Sequence, residues 1–286
     1  IVLLDVEMPV LDGLSTLPKL VEIQPNIKVI MCSTLTTENA ETTMRALALG
    51  AVECIAKPTN TQDIYSKDFF RDTLVRTIRE IGGIPEKSPL QQPPSSNRAN
   101  DIRAAGLATN PKSAATTSRI PSINERKINL RPATEGFSGK PEILAIGSST
   151  GGPNALFKLL STLRGVDIPI IITQHMPPTF TRILAEHIQQ QTGIKALEGA
   201  DGMPLVAGRI HVAPGGFHML IDKKGATPII KIDDGPMENF CRPAVDPMLR
   251  SAVKVFGQKI MTVILTGMVS EGMLGARDVV AAVGRV

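Results

Sequence analysis

Residues 142–160, E-I-L-A-I-G-S-S-T-G-G-P-N-A-L-F-K-L-L, decide the fold. Ile143 to Ile146 make a short unbroken apolar run, the mark of a strand buried on both faces. Gly147 to Gly152 are small residues and read as a tight loop. Pro153 suits the opening of a helix, and Leu156, Phe157, Leu159 and Leu160 then recur at helical spacing. Strand, loop and helix in immediate succession are the unit of a parallel α/β sheet. Glycines on both sides let backbone pass close to a serine whose hydroxyl stays exposed. Gly147-Ser148-Ser149-Thr150-Gly151 fits G-x-S-x-G with Ser149 as nucleophile. Amides at the helix N-terminus would stabilise a developing oxyanion. A phosphate-cradling or purely structural glycine turn fits the same stretch. The pattern alone leaves both open.

Downstream, 168–173 form a continuous apolar strand leading into Gln174-His175-Met176-Pro177-Pro178, and a helix follows near 180–191. His175 therefore sits at the carboxyl end of a strand, as Ser149 does. Two neighbouring parallel strands would bring these tips together as a Ser–His pair, which favours nucleophilic chemistry. His187 falls mid-helix, His211 opens a strand-like segment, and His218 lies in G-G-F-H-M-L; each reads first as structural. Asp201-Gly202 and 213–216 read as turns, 218–222 with 229–233 as a hairpin. Arg242 is held on a loop beside Pro243, where substrate-carboxylate binding and structural pairing are both open. A helix is expected from Asp246, as N-cap, through Val255, a strand over 261–267 and a helix over 273–282. The acid that orients His175 must come from a strand end. Glu271 meets that condition; Asp233, Asp234 and Asp246 are the other contenders.

Upstream, residues 1–83 repeat the alternation. Strands are expected at 1–5, 27–32 and 52–55, and helices at 12–23, 38–49 and 67–81. Sites in such sheets form at strand carboxyl ends, and Asp5, Ser33 and Lys57 occupy those ends. Residues 84–140 are rich in Pro, Ser, Asn, Ala and Thr, with prolines at short intervals, and read as a flexible linker.

Composition bounds the rest. At 286 residues the chain has room for about two domains. Its 42% hydrophobic and 20% charged content is that of a globular protein. No apolar run approaches the roughly 18 residues that cross a membrane, and no signal peptide is visible. The net charge of +4 is local: nine Lys and Arg against four Asp and Glu lie between 84 and 140, leaving −1 for the rest. No folded basic face is expected, hence no nucleic acid. Three scattered cysteines without metal-ligand spacing argue against disulfides and zinc and fit a cytoplasmic location.

L-L-D-V-E-M-P-V-L-D-G, V-I-M-C-S-T and A-K-P, in that order, resemble response-regulator receiver domains. The resemblance makes Asp5 the phospho-accepting carboxylate, Ser33 the switch hydroxyl and Lys57 the phosphate-pairing ammonium. It implies Mg²⁺ for phosphorylation, with Asp5 as one ligand and the family's other acidic ligands lying before Ile1. After the linker come G-S-S-T-G-G, I-T-Q-H-M-P-P, H-V-A-P-G, R-P-A-V-D and I-L-T-G-M. With the receiver they make the chain similar to chemotaxis protein-glutamate methylesterases.

The fold this implies is a partial flavodoxin-like receiver (1–83), the linker (84–140), and a Rossmann-like doubly wound parallel sheet with a small antiparallel hairpin (141–286). Both domains are expected to be incomplete at the chain ends. The implied activity is hydrolysis of glutamyl methyl esters, and deamidation of glutamines, on methyl-accepting chemotaxis receptors. The esterase needs no cofactor, and a chemotaxis histidine kinase donates the phosphoryl group. Carried over, Ser149 is nucleophile, His175 general base, Thr150 a neighbour in the site and the Met268 amide an oxyanion donor. An unphosphorylated receiver would cover the cleft. The family's G-M-G-x-D-G is here G-M-V-S-E-G, with Glu271 replacing the usual Asp. The extra methylene displaces the carboxylate by about 1.5 Å, and Val269 would strain any position needing φ > 0. A slowed esterase is expected. Two rivals are a catalytically weak member acting as a phosphorylation-dependent receptor-binding module, and a Rossmann-like dehydrogenase, for which no ribose-binding acid is placed.

Overall fold

Alternating apolar strands and amphipathic helices build two parallel sheets and one hairpin. The computed structural model describes residues 1–34, 37–58, 64–83, 139–266 and 272–286, without the side chains of 37–39 and 64–69. All but the last two residues of the expected linker lie outside these, as do 267–271.

The N-terminal part comprises β1 (Val2–Asp5), α1 (Gly13–Ile23), β2 (Val29–Ser33), α2 (Thr37–Ala48), β3 (Glu53–Ala56) and α3 (Ile64–Ile81). Its three strands pair in parallel in the order β1-β2-β3. Asp12 starts α1 where expected, its carboxylate accepting the Ser15 N–H at 2.6 Å.

The C-terminal part comprises β4 (Ile143–Ser148), α4 (Gly152–Ser161), β5 (Ile170–Gln174), α5 (Phe180–Thr192), β6 (Lys195–Glu198), β7 (Arg209–Val212), β8 (His218–Lys224), β9 (Thr227–Asp233), α6 (Val245–Phe256), β10 (Ile260–Ile264) and α7 (Met273–Ala281). Five strands form a parallel sheet in the order β10-β4-β5-β7-β6, and β8 and β9 form the antiparallel hairpin. β6 is a difference from the sequence reading: K-A-L-E is short and polar, as an edge strand can be.

Both faces of the larger sheet are covered. Leu144 and Ile146 face α4 and α5, whereas Ile143 and Ala145 face α6 and α7. That two-sided burial is why β4 is an apolar run rather than an alternation. The cluster under α4 and α5 continues without a break into the smaller part, through Leu17, Met31, Met44 and Leu47. α2 packs on α4 and α5, and Asn154 Nδ2 donates to the Ala51 carbonyl at 3.2 Å. Strand order reverses at β4, between β5 on one side and β10 on the other. Ligand sites open at the carboxyl ends of strands at such a reversal. Among the described residues no helix is long and apolar enough to cross a membrane.

Candidate active site

Ser148 is in register with Gln174 across the β4–β5 pair. The next residues, Ser149 and His175, leave the two strands side by side. Ser149 Oγ lies 3.0 Å from His175 Nδ1. The hydroxyl donates to Nδ1 when the ring proton sits on Nε2, the tautomer in which the imidazole can take the serine proton. The sheet therefore brings together the two residues that strand position had singled out.

Three features hold the pair. Gln174 is fully buried; its Oε1 accepts Ser148 Oγ–H at 2.7 Å, and its Nε2 donates to the carbonyls of Ser149 (3.0 Å) and His175 (3.3 Å). The Ser149 N–H donates to Thr266 Oγ1, just beyond β10, at 2.8 Å. Gly151 adopts φ 72°, a left-handed conformation that favours glycine, and lets the chain turn into α4. The positive end of α4 faces the serine loop.

The smaller part supplies the opposite wall. Ser149, Thr150, His175 and Arg242 line a cleft of about 380 Å³ together with Lys57, Phe70, Thr77 and Glu80. Thr150 Oγ1 donates to Glu80 Oε2 at 2.7 Å. Glu53, on β3, is 7% exposed and accepts the N–H groups of Cys54 and Gly151. Burial pushes its carboxyl up to about 7; Glu80 adds to the rise, while those N–H groups and His175 oppose it.

Asp5, Ser33 and Lys57 stand at the carboxyl ends of their strands, as expected. Lys57 Nζ lies 2.5 Å from Asp5 Oδ2, both half-exposed, and Ser33 is buried beside them at the end of β2. Among the described residues no three His, Cys, Asp or Glu side chains stand close enough to hold a metal ion. Asp5, expected as one ligand of a partial Mg²⁺ site, is paired here with Lys57.

Glu271, Met268 and Val269 lie outside the described residues. The other contending acids are engaged elsewhere: Asp233 Oδ2 accepts the Gly235 N–H at 3.1 Å, and Asp234 is exposed. Asp246 is not the N-cap of its helix; Ala244 is. Asp246 is fully buried one residue inside α6, where Oδ1 accepts the Gly275 N–H at 2.6 Å and Oδ2 accepts Asn239 Nδ2–H at 3.2 Å. A bond to α7 outweighs capping its own helix.

The remaining histidines are structural. His218 Nε2 donates to the Pro236 carbonyl at 2.9 Å and Nδ1 accepts the Ala244 N–H at 3.2 Å. His211 lies inside β7 rather than opening it, and burial, with Arg209 adding, lowers its pKa to about 4. His187 is half-buried on α5, its pKa lowered by burial. Sequence reasoning missed Glu53, Glu80, Gln174 and Thr266. Glu53 did carry a signal, an acid inside the apolar strand A-V-E-C-I-A.

A family model described as CheB methylesterase matches residues 144–286, and one described as response regulator receiver domain matches residues 1–67. The chain is 45% identical over 289 residues to the protein-glutamate methylesterase/protein-glutamine glutaminase of group 2 operon of Rhodospirillum centenum, covering 100% of this chain and 72% of that protein. It is 46% identical to the protein-glutamate methylesterase/protein-glutamine glutaminase of Azospirillum brasilense, covering 99% and 70% respectively. The crystal structure of the Thermotoga maritima CheB methylesterase catalytic domain aligns at 35% identity and a TM-score of 0.49, over 51% of this chain and 78% of that one. A serine and histidine paired at adjacent strand tips, two matching domain models and relatives of this identity have one reading: the chain belongs to the CheB methylesterase family and carries a response regulator receiver domain.

Proposed function

We propose that the chain hydrolyses glutamyl γ-methyl esters, and deamidates glutamines, on methyl-accepting chemotaxis receptors, under control of its receiver. The observation that carries this reading is the 3.0 Å approach of Ser149 Oγ to His175 Nδ1 at the mouth of a cleft. His175 takes the serine proton as Oγ attacks the ester carbonyl carbon. Negative charge collects on the former carbonyl oxygen, near the positive end of α4 and the serine-loop amides. Collapse expels the methoxy group, which His175 protonates to methanol, or ammonia from a glutamine. Water, deprotonated by the same imidazole, then attacks the acyl carbon, and the imidazolium returns that proton to Ser149 Oγ as it leaves, freeing a glutamate carboxylate and the serine hydroxyl. The roles of Thr150 as a site neighbour, of Met268 as oxyanion donor and of Glu271 as orienting acid belong to this proposal.

In the receiver, Asp5 would accept the phosphoryl group from a chemotaxis histidine kinase, with Lys57 pairing its oxygens and Ser33 acting as the switch hydroxyl. Mg²⁺, with Asp5 as one of its ligands, would neutralise charge there. The protein would act in the cytoplasm, where the signalling parts of such receptors lie.

The test is methanol release from methylated receptor by the full chain, with Ser149→Ala and His175→Ala as controls. Release that both substitutions abolish supports the reading. No release, with retained binding to receptor, points instead to a receptor-binding module.

A further inference from the structure

Among the cleft-lining residues of the catalytic part, Arg242 alone carries a permanent charge. It lies on the loop between β9 and α6. Its Nη1 donates to the carbonyl oxygens of Asp234 at 2.7 Å and Gly235 at 2.8 Å. Those bonds fix the guanidinium plane, and among the described residues no carboxylate pairs with its charge. Among the described residues, the acids flanking it make other contacts or turn outward. Glu238, on the same loop, pairs with Arg250. Asp246 holds Gly275 and Asn239, Asp233 holds Gly235, and Asp234 offers Arg242 only its carbonyl.

Arg242 Nε is buried and has no hydrogen-bond partner among the described residues. Buried donors rarely go unpaired, and each exception asks for a reason. With Nη1 anchored, Nη2 remains to donate to a carboxylate, and Nε, occluded in this structure, completes a two-donor fork once the loop shifts to seat a substrate. Beside it the loop turns apolar side chains outward: Met237 is 50% exposed and Phe240 78% exposed. Asn239 and Phe240 both hold positive φ, 51° and 62°. Two such non-glycine residues in succession are strained, and strain of this kind clusters at functional sites.

We propose that Arg242 is a specificity-determining residue: it binds the carboxylate of an acidic residue flanking the esterified glutamate, while Met237 and Phe240 cover the apolar side of the same substrate segment. This rests on the esterase reading above. Phe70, Thr73 and Arg76 of the receiver line the same cleft, so a segment seated there displaces them.

The test uses peptides with one glutamyl γ-methyl ester and a single Asp or Asn at each position within two residues of it. Methanol release by the full chain is measured for wild type, Arg242→Gln and Arg242→Lys. Wild type is expected to favour Asp over Asn at one position by about tenfold in kcat/KM, the worth of a charge-assisted hydrogen bond, expressed in KM. Arg242→Gln loses that ratio and Arg242→Lys keeps part of it. A purely structural arginine would slow both peptides alike and preserve the ratio. A preserved ratio in Arg242→Gln, or no preference at any position in wild type, overturns the proposal. Absence of methanol from every peptide and from methylated receptor would remove the esterase reading and this inference together.

Discussion

Thr150, the residue after the nucleophile, donates its hydroxyl to Glu80 of the receiver at 2.7 Å. The receiver thus grips the loop that carries the chemistry, and does so with an acid. Replacing Glu80 by Ala removes the only side-chain acceptor given to Thr150 among the described residues. At about 1 kcal/mol for a part-buried charge-assisted bond, the gripped form should lose about fivefold in population. Methanol release without phosphodonor should rise by up to that factor. A basal rate equal to that of wild type would mean that this bond does not restrain the enzyme.

Glu53 makes the grip depend on pH. Its carboxyl is raised from 4.5 to about 7 chiefly by burial, with Glu80 adding and His175 opposing. The closed form therefore binds a proton that the solvated, open form releases near the ordinary carboxylate value. Closing is fully favoured below that ordinary value and weakens as pH rises through about 7, by at most about 3 kcal/mol. Basal activity of wild type, divided by that of Glu53→Gln, should climb between pH 5 and 7 and level off above. Glu53→Gln keeps the shape of the side chain without its titrating proton. A flat ratio would sink the prediction.

Why the sequence showed one wall of the cleft and hid the other follows from sequence distance. Ser149 and His175 were legible because both end apolar strands, and parallel pairing of consecutive strands leaves little freedom in where their tips fall. Asp5, Ser33 and Lys57 were legible for the same reason. Glu80 lies on α3, where a glutamate on an exposed face is ordinary; only docking gives it Thr150. Asp246 was misread because an acid before a helix usually caps it. Its actual partner, the Gly275 N–H, lies on another helix.

Gly152 and Gly151 separate crowding from conformation at the serine turn. A Cβ on Gly152 would sit 2.0 Å from Gln174 Oε1, whereas one on Gly151 would meet nothing within 4 Å. Gly152→Ala must push Gln174 from its bonds to Ser148, Ser149 and His175, and overpacking of this kind costs about 1–3 kcal/mol. It should lower both Tm and kcat. Gly151→Ala strains only its own backbone, about 1 kcal/mol, and should keep a larger share of activity. Equal losses in thermal melts and methanol release would refute the distinction.

Asp246 ties the substrate loop to the scaffold. Its buried carboxylate accepts from Gly275 at the start of α7 and from Asn239, the neighbour of Phe240. Asp246→Ala leaves the Gly275 N–H buried without an acceptor and frees Asn239, at a cost of about 2–4 kcal/mol. For a domain of this size Tm should fall by about 5–10 °C. Asp246→Asn keeps an acceptor for Gly275 and should lose less. Because Met237, Phe240 and Arg242 share the released loop, the alanine variant should also raise KM for methylated receptor more than it lowers kcat. An unchanged KM alongside a lowered Tm would mean that the loop holds its shape without Asp246.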